Sequence, residues 1–181
     1  VEAPSQMLEN WVWKKETLKK LSGHYSNPQK QLPNEMIEKM IQAKLLNVGL
    51  QTLRQLAFGS IDLDYHTSEK VDSTQIYASR MEQVMLIPIQ PGTQPQASFG
   101  HLMGGYDSGY YGYLWSKVFA QDMFTRFDSE GLLNPETGKE YADWILKPGG
   151  EKEPMDLITG FLKREPSNKA DRKSTRLNSS H

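Results

Sequence analysis

Between Phe99 and Tyr113 the chain reads Phe-Gly-His-Leu-Met-Gly-Gly-Tyr-Asp-Ser-Gly-Tyr-Tyr-Gly-Tyr, which places five glycines, four tyrosines and His101 within fifteen residues. Imidazole and phenol groups are the donors that meet negative charge building on a carbonyl oxygen during acyl transfer. Glycines beside them, Gly104 and Gly105 in particular, permit backbone conformations closed to other residues and let a loop approach a ligand closely. Tyr106, Tyr110 and Tyr113 stand four and three apart, so they share one face if the segment is helical. Tyr111 is off that face and reads as structural. For any one of these side chains alone, aromatic packing is the commoner role.

A second group of polar residues opens the chain. Glu2 precedes Pro4, a residue suited to a first helical turn, and a carboxylate at a helix start also suits the helix dipole. Ser5, Gln6 and Glu9 fall near the Glu2 face at helical spacing. Further on, Asp62-x-Asp64-x-His66 imitates ligand spacing but lacks the glycine and terminal glutamate of a calcium loop. It reads as an acidic helix end. Trp11, Trp13, Trp115 and Trp144 read as core or interface anchors.

Residues 99–113 resemble the loop and following helix of the thimet oligopeptidase and neurolysin family of zinc metallopeptidases. Val1-Glu-Ala-Pro-Ser-Gln-Met-Leu-Glu-Asn-Trp-Val-Trp13 resembles the helix that carries that family's third zinc ligand. The similarity extends from Val1 to about Arg164. It implies an all-α fold of two helical lobes around a deep channel, and hydrolysis of internal bonds in short peptides with one Zn²⁺ ion as cofactor. By the same resemblance Glu2 is the zinc ligand, joining two histidines and leaving a fourth position open. His101 is the histidine that contacts substrate backbone or stabilises the transition state, and Tyr113 the hydroxyl that donates to the oxyanion. Tyr106 and Tyr110 bind substrate and support that hydroxyl, and Gly104 and Gly105 belong to the same substrate loop. Glu9 either orients a zinc-binding histidine or simply lies on a solvated face or in a structural ion pair, and both readings stay open.

The family's His-Glu-x-x-His is absent, since the histidines are His24, His66, His101 and His181 and none begins such a motif. In the family it lies upstream of the residue matching Glu2. The chain is therefore expected to be the C-terminal portion of a longer enzyme and to be inactive alone. Residues 1–164 form that portion, 165–170 a tail, and Asp171–His181 reads as the in-frame translation of a sequencing-library adapter, to be left out of fold reasoning.

Helices must position these groups. Apolar residues recur at spacings of three and four through Leu8, Trp11 and Val12, and Ser26-Asn-Pro28 reads as a loop. Pro33-Asn34 starts a long helical stretch whose stripe is Met36, Ile37, Met40, Ile41, Leu45, Val48 and Leu53. Gly49 and Gly59 weaken it, which predicts a kink or break near Phe58. Asp72 or Ser73 caps a third helix to about Leu86, and a fourth runs from about Ser108 to Phe127. Two shorter helices follow around 138–146 and 154–163. No alternating strand pattern of useful length is present.

Composition narrows the function class. Without residues 171–181 the chain carries 18 basic and 21 acidic side chains, a net charge of −3, and shows no basic excess to suggest nucleic acid as a partner. It has no cysteine, so neither disulfides nor thiol catalysis occur in it. No apolar run approaches the ~18 residues of a membrane span. The expected partners are short peptides, without nucleic acid or membrane, for a monomeric cytoplasmic parent, with a mitochondrial one as the alternative. Two other functions compete with the enzyme: a non-catalytic peptide-binding relative, and a stand-alone helical interaction module.

Overall fold

The computed structural model of the 181-residue chain describes residues 1–176. Among them there are helices and turns but no strand, as the all-α expectation requires. The helices are α1 (Ala3–Leu8), α2 (Lys15–Leu21), α3 (Asn34–Leu45), α4 (Val48–Thr67), α5 (Ser73–Met85), α6 (Gly112–Glu130), α7 (Pro135–Tyr141), α8 (Pro154–Leu162) and α9 (Lys169–Arg176). No helix among the described residues is long and apolar enough to cross a membrane. Two compact units share the chain. One comprises Val1–Leu46 and the residues from Ser116 on, the other Asn47–Trp115.

In the first unit Met7 of α1 is wholly buried in a core with Met123, Phe124 and Phe127 of α6 and Phe161 of α8. Trp11, in the 3₁₀ turn Glu9–Trp13, meets Phe124 and Phe127 edge-on at 4.8 and 4.7 Å, and its indole N–H donates to the Leu132 carbonyl at 2.7 Å. It is an anchor, as expected. Trp115, by contrast, is 59% exposed. Arg126 of α6 joins the C-terminal helices by donating to Glu130, Glu140 and the Phe161 carbonyl. Arg164 holds the buried Asp122 carboxylate with two bonds of 2.8 Å, and the Ser167 N–H adds a third. The adapter-like stretch 171–181 overlaps α9 as far as Arg176, and its residues 177–181 lie outside the described residues.

Gly160 of α8 is fixed by contact. A Cβ there would lie 2.3 Å from two ring carbons of Trp144. Gly160→Ala sets a helix-propensity gain of about 1 kcal/mol against an overpacking cost of about 1–3 kcal/mol. Because the bulk that must move is a rigid indole, a net loss of stability is expected, seen as a lower Tm of the 181-residue chain. An unchanged or higher Tm would mean that the ring swings aside freely.

The second unit pairs α4 with α5. Ile61, Tyr77, Phe99 and Tyr110 form its buried centre, with Phe58, Met81 and Tyr113 packed against it. The expected break near Phe58 does not occur. The long stretch divides instead at Asn47, which takes a left-handed conformation (φ 60°), one that asparagine reaches at lower cost than most residues. Helix α4 then runs unbroken through both glycines to Thr67. Gly59 is buried because the Tyr111 backbone and Cβ lie 3.6–3.8 Å from where its own Cβ would be. The apolar stripe is only partly covered: Ile37 is buried, whereas Met36, Leu45 and Leu53 are exposed. Asp72 caps α5 as expected, its side chain accepting from the Gln75 N–H at 2.9 Å.

Candidate active site

The glycine-tyrosine segment folds as a 3₁₀ turn (Gly100–Met103), a run of tight turns, and then α6 from Gly112. Residues 108–111 are thus not helical, contrary to the expected start at Ser108. Gly104 N–H donates to the His101 carbonyl at 3.1 Å, and Tyr106 N–H reaches the same oxygen at 3.3 Å. Gly105 follows at φ +86° and Ser108 at φ +59°. The first is a conformation for which glycine is the ordinary choice. The second is held by an external acceptor.

That acceptor is Asp62. It is completely buried on α4, and its two carboxylate oxygens accept from the backbone N–H groups of Ser108 (3.0 Å) and Tyr110 (2.9 Å). His66 Nδ1 lies 3.1 Å from Asp62 Oδ1 and 2.7 Å from the Asp62 carbonyl. Asp62 and Asp64 do lie near the C-terminal end of α4, as expected, but Asp62 is a carboxylate withdrawn from water to grip the loop. Part of the signal was available in the sequence: a turn rich in Gly and Ser exposes N–H groups that need an acceptor, and Asp62, flanked by Ile61 and Leu63, is a candidate.

With this anchor the aromatic groups converge without a helix to align them. The His101 ring lies edge-on to Tyr106 (5.7 Å), Tyr110 (5.1 Å) and Tyr113 (5.7 Å). Tyr106 and Tyr113 stack at 5.0 Å, and Tyr110 is 5.0 Å from Tyr113. His101 is exposed, Tyr106 and Tyr113 are half-buried, and Tyr110 is buried. The Tyr110 hydroxyl donates to Gln55 Oε1 at 3.1 Å. Burial raises its pKa. Gln55, which sequence reasoning passed over, thus holds Tyr110 from α4. Tyr111 is half exposed and outside the group.

Glu2 and Glu9 belong to the first unit. Glu2 is the residue preceding α1, half-buried, with the Ser5 hydroxyl 2.9 Å from both its Oε2 and its carbonyl oxygen. The single hydroxyl proton serves one of them at a time. Glu9 is exposed in the 3₁₀ turn that follows α1, and its charge partly offsets the burial that lowers the Lys44 pKa. Among the described residues no three His, Asp or Glu side chains converge closely enough to hold a metal ion. Glu2 offers one carboxylate donor, a partial fit to a zinc site whose remaining ligands these residues do not supply.

Comparison with known proteins matches residues 1–177 to the model of Peptidase family M3. The chain is 44% identical over 172 residues to oligopeptidase A of Escherichia coli (strain K12), covering 92% of this chain and 25% of the relative. It is 41% identical over 174 residues to a thimet-like oligopeptidase of Dictyostelium discoideum, covering 94% and 26%. With saccharolysin of Saccharomyces cerevisiae (strain ATCC 204508 / S288c) it shares 41% over 175 residues, covering 94% and 24%. It thus spans about a quarter of the length of these relatives.

Proposed function

Because the chain belongs to peptidase family M3, we propose that it is part of the catalytic region of a zinc metalloendopeptidase that hydrolyses internal bonds of short peptides. The observation that carries this reading is the convergence of His101, Tyr106, Tyr110 and Tyr113 on one cluster anchored by Asp62. Glu2 would be one of three protein ligands, with an upstream His-Glu-x-x-His supplying the others and the general base. Zinc, when bound, contributes Lewis acidity to the attack of water on the peptide carbonyl.

The residues of this chain do the rest. Tyr113 donates its phenolic proton in a hydrogen bond to the oxygen on which charge develops. Tyr106 stacks on Tyr113 and restricts its ring, while Tyr110, held by Gln55, supports it from the buried side. His101, exposed at the rim, hydrogen-bonds the substrate backbone, and Gly104 and Gly105 let the chain pass close to it. Ser5 steadies the Glu2 carboxylate. The 181-residue chain alone is proposed to be inactive. The parent is proposed to be monomeric and cytoplasmic, with mitochondrial residence as the alternative.

Glu2→Gln in the full-length protein tests the reading. The amide keeps the shape of the side chain and removes the charge that helps to hold a dication. Hydrolysis of a short peptide and zinc content after dialysis are expected to fall together. Full zinc occupancy in an inactive variant would remove Glu2 from the ligand set. A wild-type protein that binds peptides without cleaving them would overturn the enzyme in favour of a peptide-binding relative.

A further inference from the structure

Beside the tyrosine cluster, within the same unit, lies a cavity of about 360 Å³ lined by Arg54, Phe58, Tyr77, Phe99, His101 and Tyr110, among others, a volume within the range of small-ligand pockets. Its walls are aromatic. Phe58, Phe99 and Tyr110 pack against one another at 4.9, 5.7 and 5.2 Å between ring centroids. Burial raises the pKa of the Tyr77 and Tyr110 hydroxyls, so the walls stay neutral at physiological pH. One fixed charge remains. Arg54, a helical turn before Phe58 on α4, lays its guanidinium 4.9 Å above the Phe58 ring. Among the described residues no carboxylate lies within ion-pair distance of it, and none of the cavity's lining residues is acidic.

A guanidinium stacked on one ring keeps its edge N–H groups for a planar anion, and a carboxylate matches that fork with two parallel hydrogen bonds. The cavity beneath suits an apolar or aromatic side chain. A ligand serving both must carry a carboxylate next to an apolar group, which describes the last residue of a peptide, or an acidic side chain beside an apolar neighbour. We propose that Arg54 and this cavity form a receptor for a peptide carboxylate and its adjoining apolar side chain, so that the site reads the C-terminal end of a short substrate. The proposal rests on the peptidase reading above, through His101, which lines the cavity and also edges the tyrosine cluster. Such a receptor favours short peptides for a physical reason, since a chain continuing past the carboxylate position has no charge to give Arg54.

Calorimetric titration of the full-length protein with uncleavable pentapeptides, N-methylated at their internal bonds, tests this. One pair ends in Phe as the free acid or the amide. A second pair, both amides, carries Glu or Gln before the final Phe. The free acid is expected to bind about tenfold more tightly than its amide, the worth of a charged hydrogen-bonded contact at an exposed site. Arg54→Gln should erase that preference and Arg54→Lys keep part of it, at unchanged Tm. An Arg54-dependent preference for Glu over Gln, with none between acid and amide, would overturn the reading of the C-terminal end and make an acidic side chain the source of the carboxylate. Absence of an Arg54-dependent preference in both pairs, or equal loss of all four peptides in the Gln and Lys variants, would overturn the receptor itself. Peptide cleavage by the wild type, assayed separately, tells the two readings apart: cleavage without Arg54 dependence sinks only the receptor, and Arg54-dependent binding without cleavage sinks only the peptidase.

Discussion

Tyr113→Phe in the full-length protein is expected to lower kcat by about 10²–10³, the usual worth of one donor to a developing oxyanion, with little change in KM. The substitution deletes a single oxygen. The ring that stacks on Tyr106 at 5.0 Å and meets the edge of His101 at 5.7 Å remains, so packing and Tm should stay near those of the parent. A donor engaged chiefly in the transition state appears in kcat and kcat/KM alike, whereas one that also binds the ground state raises KM. Zinc content should be unaffected, which separates this variant from Glu2→Gln. Near-normal kcat would move the oxyanion role to Tyr106 or His101. His101→Ala is the useful companion, because it removes a rim group and should raise KM more than it lowers kcat.

Asp62→Ala should produce the second large effect, and it tests position rather than chemistry. The variant strips the acceptor from the N–H groups of Ser108 and Tyr110 and leaves a small void in the buried centre. Unmet buried donors cost about 1–3 kcal/mol each, so a destabilisation of about 2–4 kcal/mol is expected where water reaches the Ser108 amide more readily than that of Tyr110. Asp62→Asn should fare little better, since an amide presents an N–H₂ group to one of the two donors. Catalysis should fall as well, by about 10²-fold, because misplacement of a reacting group by about 1 Å has that consequence. The diagnostic is amide hydrogen exchange at 108–110. Exchange there should accelerate well beyond that of α5, at temperatures where the fold is intact. Uniform acceleration over the unit would make Asp62 a plain stability residue.

The sequence revealed the helices and the identity of the chemical groups, and missed how those groups are held. Most stretches with three- and four-residue apolar spacing became α-helices, with Trp11 and Val12 in a 3₁₀ turn instead, and Asp72 capped α5, because local preference and burial agree in these segments. The break at Asn47 was missed because glycine is the usual breaker. In α4 both glycines are tolerated, and Gly59 is useful because its missing side chain admits the Tyr111 backbone. The convergence of Tyr106, Tyr110 and Tyr113 was expected for a reason that the structure replaces: their spacing suggested one helical face, yet the segment is a chain of turns before α6. Pairings across 46 and 48 residues, from Asp62 to the loop, leave no periodic trace. Nor does the 55-residue link from Gln55 to the Tyr110 hydroxyl. Arg54 was passed over for the same reason, since only the fold brings Phe99 and Tyr110 to the ring it covers.

The grip of Asp62 falls on main-chain N–H groups and on no side chain of the loop. Any residue except proline brings the same donor to positions 108 and 110, so the attachment is indifferent to what the loop displays. Asp107 and Ser108 are exposed, and their side chains can be exchanged without loosening the clasp, with glycine suited to the positive φ at 108. In a designer's vocabulary, the loop is a cartridge on a fixed mount. On the proposed peptidase reading, variation in peptide preference can accumulate at its tip while the hydroxyl and imidazole beside it keep their registration.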